Sequence, residues 1–424
     1  LTVRYRSLWY GGGSSLRPGT CDLQWLRRWM CPFVVVFCVM ASVASGRADE
    51  VKLTPSITVK EEYNDNILYA PSETYKDFFT MISAGLSFLQ KTERLKVDLS
   101  GRADRRIYSR YSEFNATDQF YSGTGSYSMT ERLGLTGKAG YSVDSRPDRD
   151  LEVTGLSFTG VERYRQTYGF GANYLLSEIL LATFTYDYLN DKYDDARYSD
   201  MEAHIFNLGA VHDLNYFMQK TQARTNIVYS RYNIQNSRID NYEWTVGLNR
   251  ALDEKWNLLA DGGLRYTTSR FTFTEAIRTP PFLLYRYEDN KEWGGAGQLA
   301  LTYKSEKNSG EVKINHDIMP ASGRSGTTER TAFLANITMR LTYDLQWGVS
   351  GGYFINKSRA GQYSVQRIDE ESLWISPNVI YNHSRDVSIG LSYIHNRSHS
   401  YVAGTDTERN VFQIRYRMQH DLFQ

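Results

Sequence analysis

The chain has 424 residues, of which 41% are hydrophobic and 14% aromatic, with 32 tyrosines, 32 glycines and only nine prolines. Past residue 48 there is no run of about 20 apolar residues, which excludes a bundle of membrane-spanning helices. Residues 1–48 carry a net charge of +5 and the remainder −4, a mildly acidic body that argues against nucleic acid as the main partner.

The first element in chain order is a leader, residues 1–48. Arg27 and Arg28 form a basic n-region, residues 30–41 an apolar core too short to span a bilayer comfortably, and Gly46-x-Ala48 a cleavage site. Residues 23–48 therefore read as a signal peptide rather than a short membrane anchor. Phe37 before Cys38 is too bulky for lipoprotein processing. The distance of this segment from residue 1 leads to the expectation that translation starts near Leu23. All three cysteines, Cys21, Cys31 and Cys38, lie in the leader, so a mature chain without it holds no disulfide framework and no thiolate metal site. That suits export through an oxidising periplasm.

From residue 53 onward, segments of about ten residues alternate apolar and polar, then break. In one of them Leu95, Val97, Leu99, Gly101 and Ala103 alternate with Lys96, Asp98, Ser100, Arg102, Asp104 and Arg106. Period two puts these sets on opposite faces of a strand. Facing lipid, each Arg or Lys would cost about 2–4 kcal/mol at the midplane, so the charged set faces water. The pattern recurs at Leu133–Val143, Tyr168–Leu176, Leu180–Tyr188, Tyr242–Leu248, Trp256–Tyr266, Trp293–Tyr303, Phe333–Tyr343, Trp347–Ile355, Leu373–Tyr381, Val387–Tyr393 and Phe412–Met418. Trp and Tyr often flank these faces, where their rings suit the headgroup level.

Short breaks fall near Gln90-Lys91-Thr92, Thr130-Glu131, Ser177-Glu178, Asp253-Glu254, Glu306-Lys307-Asn308, Asp344-Leu345 and Ser384-Arg385. They alternate with longer polar segments at 64–77, 109–118, 145–161, 189–200, 269–290, 319–328, 357–369 and 397–408. Short turns on one rim and long loops on the other predict an all-β fold, a transmembrane antiparallel up-and-down β-barrel over residues 49–424. The count is about 18 strands, with 16 as the second choice, because alternation is weak over 51–63, 199–238 and 308–320. An open sheet would leave edge N–H and C=O groups unpaired in hydrocarbon, at several kcal/mol each, so the sheet closes on itself. At the chain's end Phe412, Ile414, Tyr416 and Met418 alternate, but His420-Asp421 interrupts the pattern before Phe423.

The opening of the barrel region, Pro55 through Glu61-Glu62-Tyr63-Asn64-Asp65-Asn66-Ile67, resembles the first strand of outer-membrane β-barrel porins encoded beside exopolysaccharide synthesis and export genes or beside surface protein-sorting systems. The Asp65-Asn66-Ile67 element carries the likeness, and over the rest of the chain it is one of hairpin pattern. The resemblance implies a Gram-negative outer-membrane location and a role in moving or retaining extracellular polysaccharide. It brings no catalytic residues.

No His-Glu-x-x-His, Gly-x-Ser-x-Gly or phosphate-cradling loop is present, and no cofactor is expected. His395 and His399 are the only close histidine pair and lack an evident third metal ligand. Asp187, Asp191, Asp194, Asp195 and Asp200 match no calcium loop and read as a hydrated extracellular segment. Ser392 near His395, and His204, are the residues a barrel hydrolase would draw on, the least favoured reading. The pore-lining candidates are Lys96, Asp98, Arg102, Asp104, Arg106, Asp261 and Arg265, mixed charges that tune selectivity in an open lumen or rigidify a closed one. The expected partners are outer-membrane lipid, lipopolysaccharide, the barrel-assembly machinery, and polysaccharide or small hydrophilic solutes. A pore or export accessory leads, and a non-conducting adhesive barrel with binding loops is the alternative.

Overall fold

The computed structural model describes residues 50–146, 149–156, 160–277, 282–321 and 323–423, with the side chains of 273–286 left aside. The leader, its cleavage site, its cysteines and the start near Leu23 lie outside the described residues.

Period-two alternation is realised as eighteen antiparallel strands: β1 (Glu50–Asn64), β2 (Asp77–Lys91), β3 (Leu95–Tyr108), β4 (Ala116–Ser128), β5 (Leu133–Asp144), β6 (Arg163–Ser177), β7 (Leu180–Tyr193), β8 (Met201–Asp213), β9 (Thr221–Ile234), β10 (Ser237–Ala251), β11 (Trp256–Ile277), β12 (Phe282–Lys304), β13 (Asn308–Pro320), β14 (Thr327–Arg340), β15 (Leu345–Ser358), β16 (Ile368–Asn382), β17 (Val387–Ser400) and β18 (Thr405–Gln419). Each strand pairs with its neighbours in sequence, and β1 pairs with both β2 and β18, so the sheet is closed. The count is eighteen, not sixteen. Strands about 4.8 Å apart and tilted about 40° close at this number into a ring roughly 36 Å across at the backbone.

The weakly alternating stretches are β1, the β8–β9 pair and β13. Alternation fades in β8 and β9 because their inward positions are apolar where water does not reach. Met201, Ala203, Tyr232, Ile234 and Ile239 bury one another on the inner wall. The long segment 269–290 is a continuation of β11 and β12, paired as far as Ile277–Phe282. The long segment 397–408 is mostly strand, with β17 and β18 joined across residues 401–404. Between β9 and β10 the long-loop rim carries only Gln235 and Asn236, with Gln235 at positive φ.

The outward face is apolar and bounded by rings. Toward the long-loop rim Tyr168–Tyr188, Tyr186–Phe206, Phe206–Tyr229 and Tyr229–Tyr242 touch at centroid distances of 6.1, 4.8, 6.1 and 4.9 Å. Tyr242 pairs in register with Tyr266, which packs on Trp293 at 5.0 Å. Toward the short-turn rim Trp256 packs on Tyr303 at 4.8 Å, and Trp347 and Tyr381 stand at the same end of β15 and β16. From Trp256 to Tyr266 the ten-residue rise is about 34 Å along the strand, or about 26 Å vertically at a tilt of about 40°. Between these rings β11 presents Leu258, Ala260, Gly262 and Leu264. Charged residues on the outward face, Glu61, Arg105, Arg231, Asp240 and Glu371 among them, stand toward the long-loop end. Thr80 Oγ1 donates to Glu61 at 2.7 Å, and Arg105 Nη1 donates to Thr117 Oγ1 at 3.0 Å. Among the described residues no helix is long and apolar enough to cross a membrane, so any crossing belongs to the strands.

Closure is reinforced at both ends of the β1–β18 seam. Past Gln419 the chain keeps bonding to β1, through His420 N to Pro55 O at 3.2 Å and Leu422 N to Leu53 O at 2.9 Å. His420-Asp421 breaks the side-chain pattern without ending the backbone pairing. At the opposite end the Asp65-Asn66 element is a clasp. Asp65 accepts from the backbone and side-chain nitrogens of Asn410 at 2.7 and 2.8 Å. Asn66 Nδ2 donates to the carbonyls of Ala70 at 2.8 Å and Glu408 at 3.0 Å, and its Oδ1 accepts from Ala70 N at 2.9 Å. These bonds satisfy backbone groups where strand pairing runs out.

Candidate functional site

The lumen is not an open cylinder. Between β5 and β6, residues 149–156 fold inward and carry a one-turn helix, α1 (Leu151–Thr154), ending at Gly155 with φ +73. A Cβ at Gly155 would lie 2.4 Å from Ser372 Oγ and 2.5 Å from Phe354 Cβ, so a residue without a side chain is required there. Phe354 and Ser372 belong to β15 and β16. In a ring of eighteen, β6 and β15 are nine strands apart, so this segment crosses to the opposite wall. It is held there by Asn356 Nδ2, which donates to Thr154 O at 2.9 Å, and by Arg330, which donates to Val153 O. Leu156 is fully buried against Ala321 and Ile368.

The root of the segment is tied to its own side of the barrel. Arg163 Nη1 holds both oxygens of Asp150 at 2.9 and 2.8 Å. Arg149 donates to the carbonyls of Asp144 and Val161 at 2.5 and 2.6 Å. Burial and the neighbouring Arg163 push the Arg149 guanidinium below its usual value.

A second infolded loop mends a gap in the wall. β12 and β13 pair only from Gly297–His316 down to Lys304–Ser309, because the β11–β12 hairpin departs above that point. The β15–β16 loop reaches across. Gln362 Nε2 donates to Glu292 Oε2 at 2.6 Å, and Thr327 N donates to Tyr363 O at 2.7 Å. Beneath it lies Arg265, fully buried, donating to Glu329 at 2.9 Å, 3.7 Å from Asp317 and under the Tyr363 ring at 5.9 Å. The guanidinium occupies the space that a Cβ at Gly294 would fill, since that Cβ would lie 2.5 Å from Arg265 Nη2.

The seven lumen candidates fall into three settings. Lys96 and Asp98 are exposed to the lumen near the short-turn rim. Arg102 lies 3.0 Å from Asp104 and stacks on Phe120 at 4.7 Å, while Asp261 accepts from Gln298 at 2.6 Å and faces Arg224 at 3.5 Å. Arg106 and Arg265 are buried. Arg106 bonds Asp118 at 3.0 Å and Ser145 Oγ at 2.6 Å, which fixes the root of the crossing segment. The infolded segments themselves carry no signal in the sequence beyond length, because their contacts join residues up to 202 positions apart.

The acidic group divides. Asp187 and Asp191 belong to β7 and pair with Lys138 at 2.7 Å and Arg165 at 2.6 Å, while Asp195 pairs with Arg197 outside the strands. Only the later part of this group is loop. Ser392 and His395 stand three residues apart on β17 and so on opposite faces. Ser392 donates to Gln413 at 3.1 Å, and His395 bonds Asn410 at 3.0 Å. His399 bonds Asp406 at 3.1 Å, and His204 bonds the Tyr186 hydroxyl at 2.9 Å. No group of three or more His, Cys, Asp or Glu suited to a metal ion occurs among the described residues.

No protein-family model matches the chain, and no curated protein matches it. Solved structures similar to it include OccK2 (OpdF) of Pseudomonas aeruginosa, at 8% identity and a TM-score of 0.46, covering 89% of this chain and 99% of that one. OccAB4 of Acinetobacter baumannii is similar at 12% identity and 0.44, covering 89% and 100%. The siderophore receptor PirA of Pseudomonas aeruginosa is similar at 11% identity and 0.42, covering 88% and 81%.

Proposed function

We propose that this chain is an outer-membrane, porin-like channel in which infolded loops narrow a polar lumen. The observation that supports this most directly is the sorting of side chains by face: rings and aliphatics outward between two aromatic levels, ion pairs and hydroxyls inward. A barrel in water would gain nothing from an apolar exterior about 26 Å tall, whereas a bilayer's hydrocarbon matches it. The crossing segment makes the protein a restricted passage, with transport limited at its tip around α1.

The opening strand's likeness to barrels found beside exopolysaccharide genes extends this reading to export or retention of polysaccharide. The adhesive alternative is favoured by one feature, the long β11–β12 hairpin that projects beyond its neighbour β13. Planar-bilayer recording of the purified protein separates the two. Steady single-channel conductance is expected. Its absence at every voltage, together with its absence after excision of residues 149–160, would leave the adhesive barrel as the answer.

A further inference from the structure

On the inner wall at the seam where the barrel closes, β18 presents Arg415 and Arg417 inward, in register with Lys60 and Thr58 of β1. Both guanidiniums are exposed, and neither has a hydrogen-bonding or ion-pairing partner among the described residues. The neighbouring lumen cations are neutralised, Lys60 by Glu62 at 2.8 Å and Arg102 by Asp104 at 3.0 Å, as are Lys138 by Asp187 at 2.7 Å and Arg165 by Asp191 at 2.6 Å farther round the wall. Arg415 lies across β17 over Gly390, where a Cβ would sit 3.5 Å from Nε and Nη2. The two arginines border a recess of about 500 Å³, within the range of small-ligand sites. Its remaining wall holds Lys60 and Arg102 and offers hydroxyl and amide groups, among them Thr58, Ser83, Asn378 and Gln413, with no aspartate or glutamate in the lining.

We infer that this recess binds a carboxylate-bearing saccharide passing through the lumen, with Arg415 and Arg417 holding carboxylates and the surrounding hydroxyls and amides holding the sugar's hydroxyl groups. Alternate positions on a strand set the two arginines about 7 Å apart, close enough to engage one ligand together. Guanidinium forks match carboxylates in a two-point geometry that an ammonium cannot reproduce. Hydroxyl and amide side chains both donate and accept, as a polyhydroxylated ligand requires. In the free protein neither guanidinium is paired directly with a carboxylate among the described residues, so a bound anion relieves their mutual repulsion.

The inference deepens the channel reading and is testable without it. Trigalacturonate and maltotriose are titrated calorimetrically into the intact barrel in detergent at low ionic strength, where screening is weak. Trigalacturonate binds and maltotriose binds at least tenfold more weakly. The double variant Arg415→Gln/Arg417→Gln loses at least tenfold in trigalacturonate affinity. Arg415→Lys/Arg417→Lys, which keeps charge and fold, falls between the two. Lys313→Gln, which removes a lumen charge elsewhere, leaves affinity unchanged. Equal affinity for both sugars, no trigalacturonate binding, an unaffected double variant, or an equal loss in Lys313→Gln would each overturn the inference. A barrel that binds trigalacturonate but never conducts keeps the site and loses the channel, while one that conducts but does not bind does the reverse.

Discussion

The clasp at Asp65-Asn66 lends itself to a quantitative test through Asn66→Ala. Asn66 is 1% exposed, and its side chain makes three hydrogen bonds, two to the Ala70 backbone and one to Glu408 O. Each is worth about 1 kcal/mol net, and backbone groups left buried without partners cost roughly 1–3 kcal/mol. The variant is therefore expected to lose about 3 kcal/mol. The assay is urea unfolding in lipid vesicles, followed by tryptophan fluorescence and by the mobility of the folded band in gels. The midpoint should fall while the slope stays constant, since the surface exposed on unfolding is unchanged. Asp98→Asn, at an exposed lumen carboxylate, is the control and should stay within about 0.5 kcal/mol of the parent. An Asn66→Ala midpoint indistinguishable from the parent would refute the clasp, because Asn66 would then be a bystander to pairing that β1 and β18 complete alone.

Further outcomes follow from the same geometry. Asn356→Ala removes the bond that ties the crossing segment to the far wall, so single-channel conductance should rise and become noisier. Unchanged current would show that the tip does not limit flow. Ala260→Arg places a cation midway between the Trp256 and Tyr266 levels of the outward face and should cost about 2–4 kcal/mol in vesicle unfolding, whereas Thr124→Arg in the lumen should cost under about 0.5 kcal/mol. In the β10–β11 turn, Asp253 accepts from the backbone nitrogens of Lys255 and Trp256, each at 2.7 Å, which holds its carboxyl below the usual range. Its contribution is present above the ordinary carboxylate pKa and lost as pH falls through the lowered value. Hydrogen exchange of those two amides, referenced to the intrinsic rate, should show protection at neutral pH that fades in acid and is absent in Asp253→Ala.

The sequence by itself determined the class of fold, which strand face turns outward, and most of the short turns. A bilayer imposes a polarity test on every second residue, and that test is written locally, as in Leu95 through Arg106. It did not decide the places where the interior is not water. The inner apolar cluster around Met201 and Tyr232 erased the alternation of β8 and β9, and Arg106 and Arg265 look identical in sequence to lumen-lining arginines yet are covered by infolded loops. Only the closed ring brought Thr154 to Asn356, Glu292 to Gln362 and Asp65 to Asn410. Alternation is a property of neighbours along the chain, whereas occlusion of the lumen depends on contacts across its diameter, which no local pattern encodes.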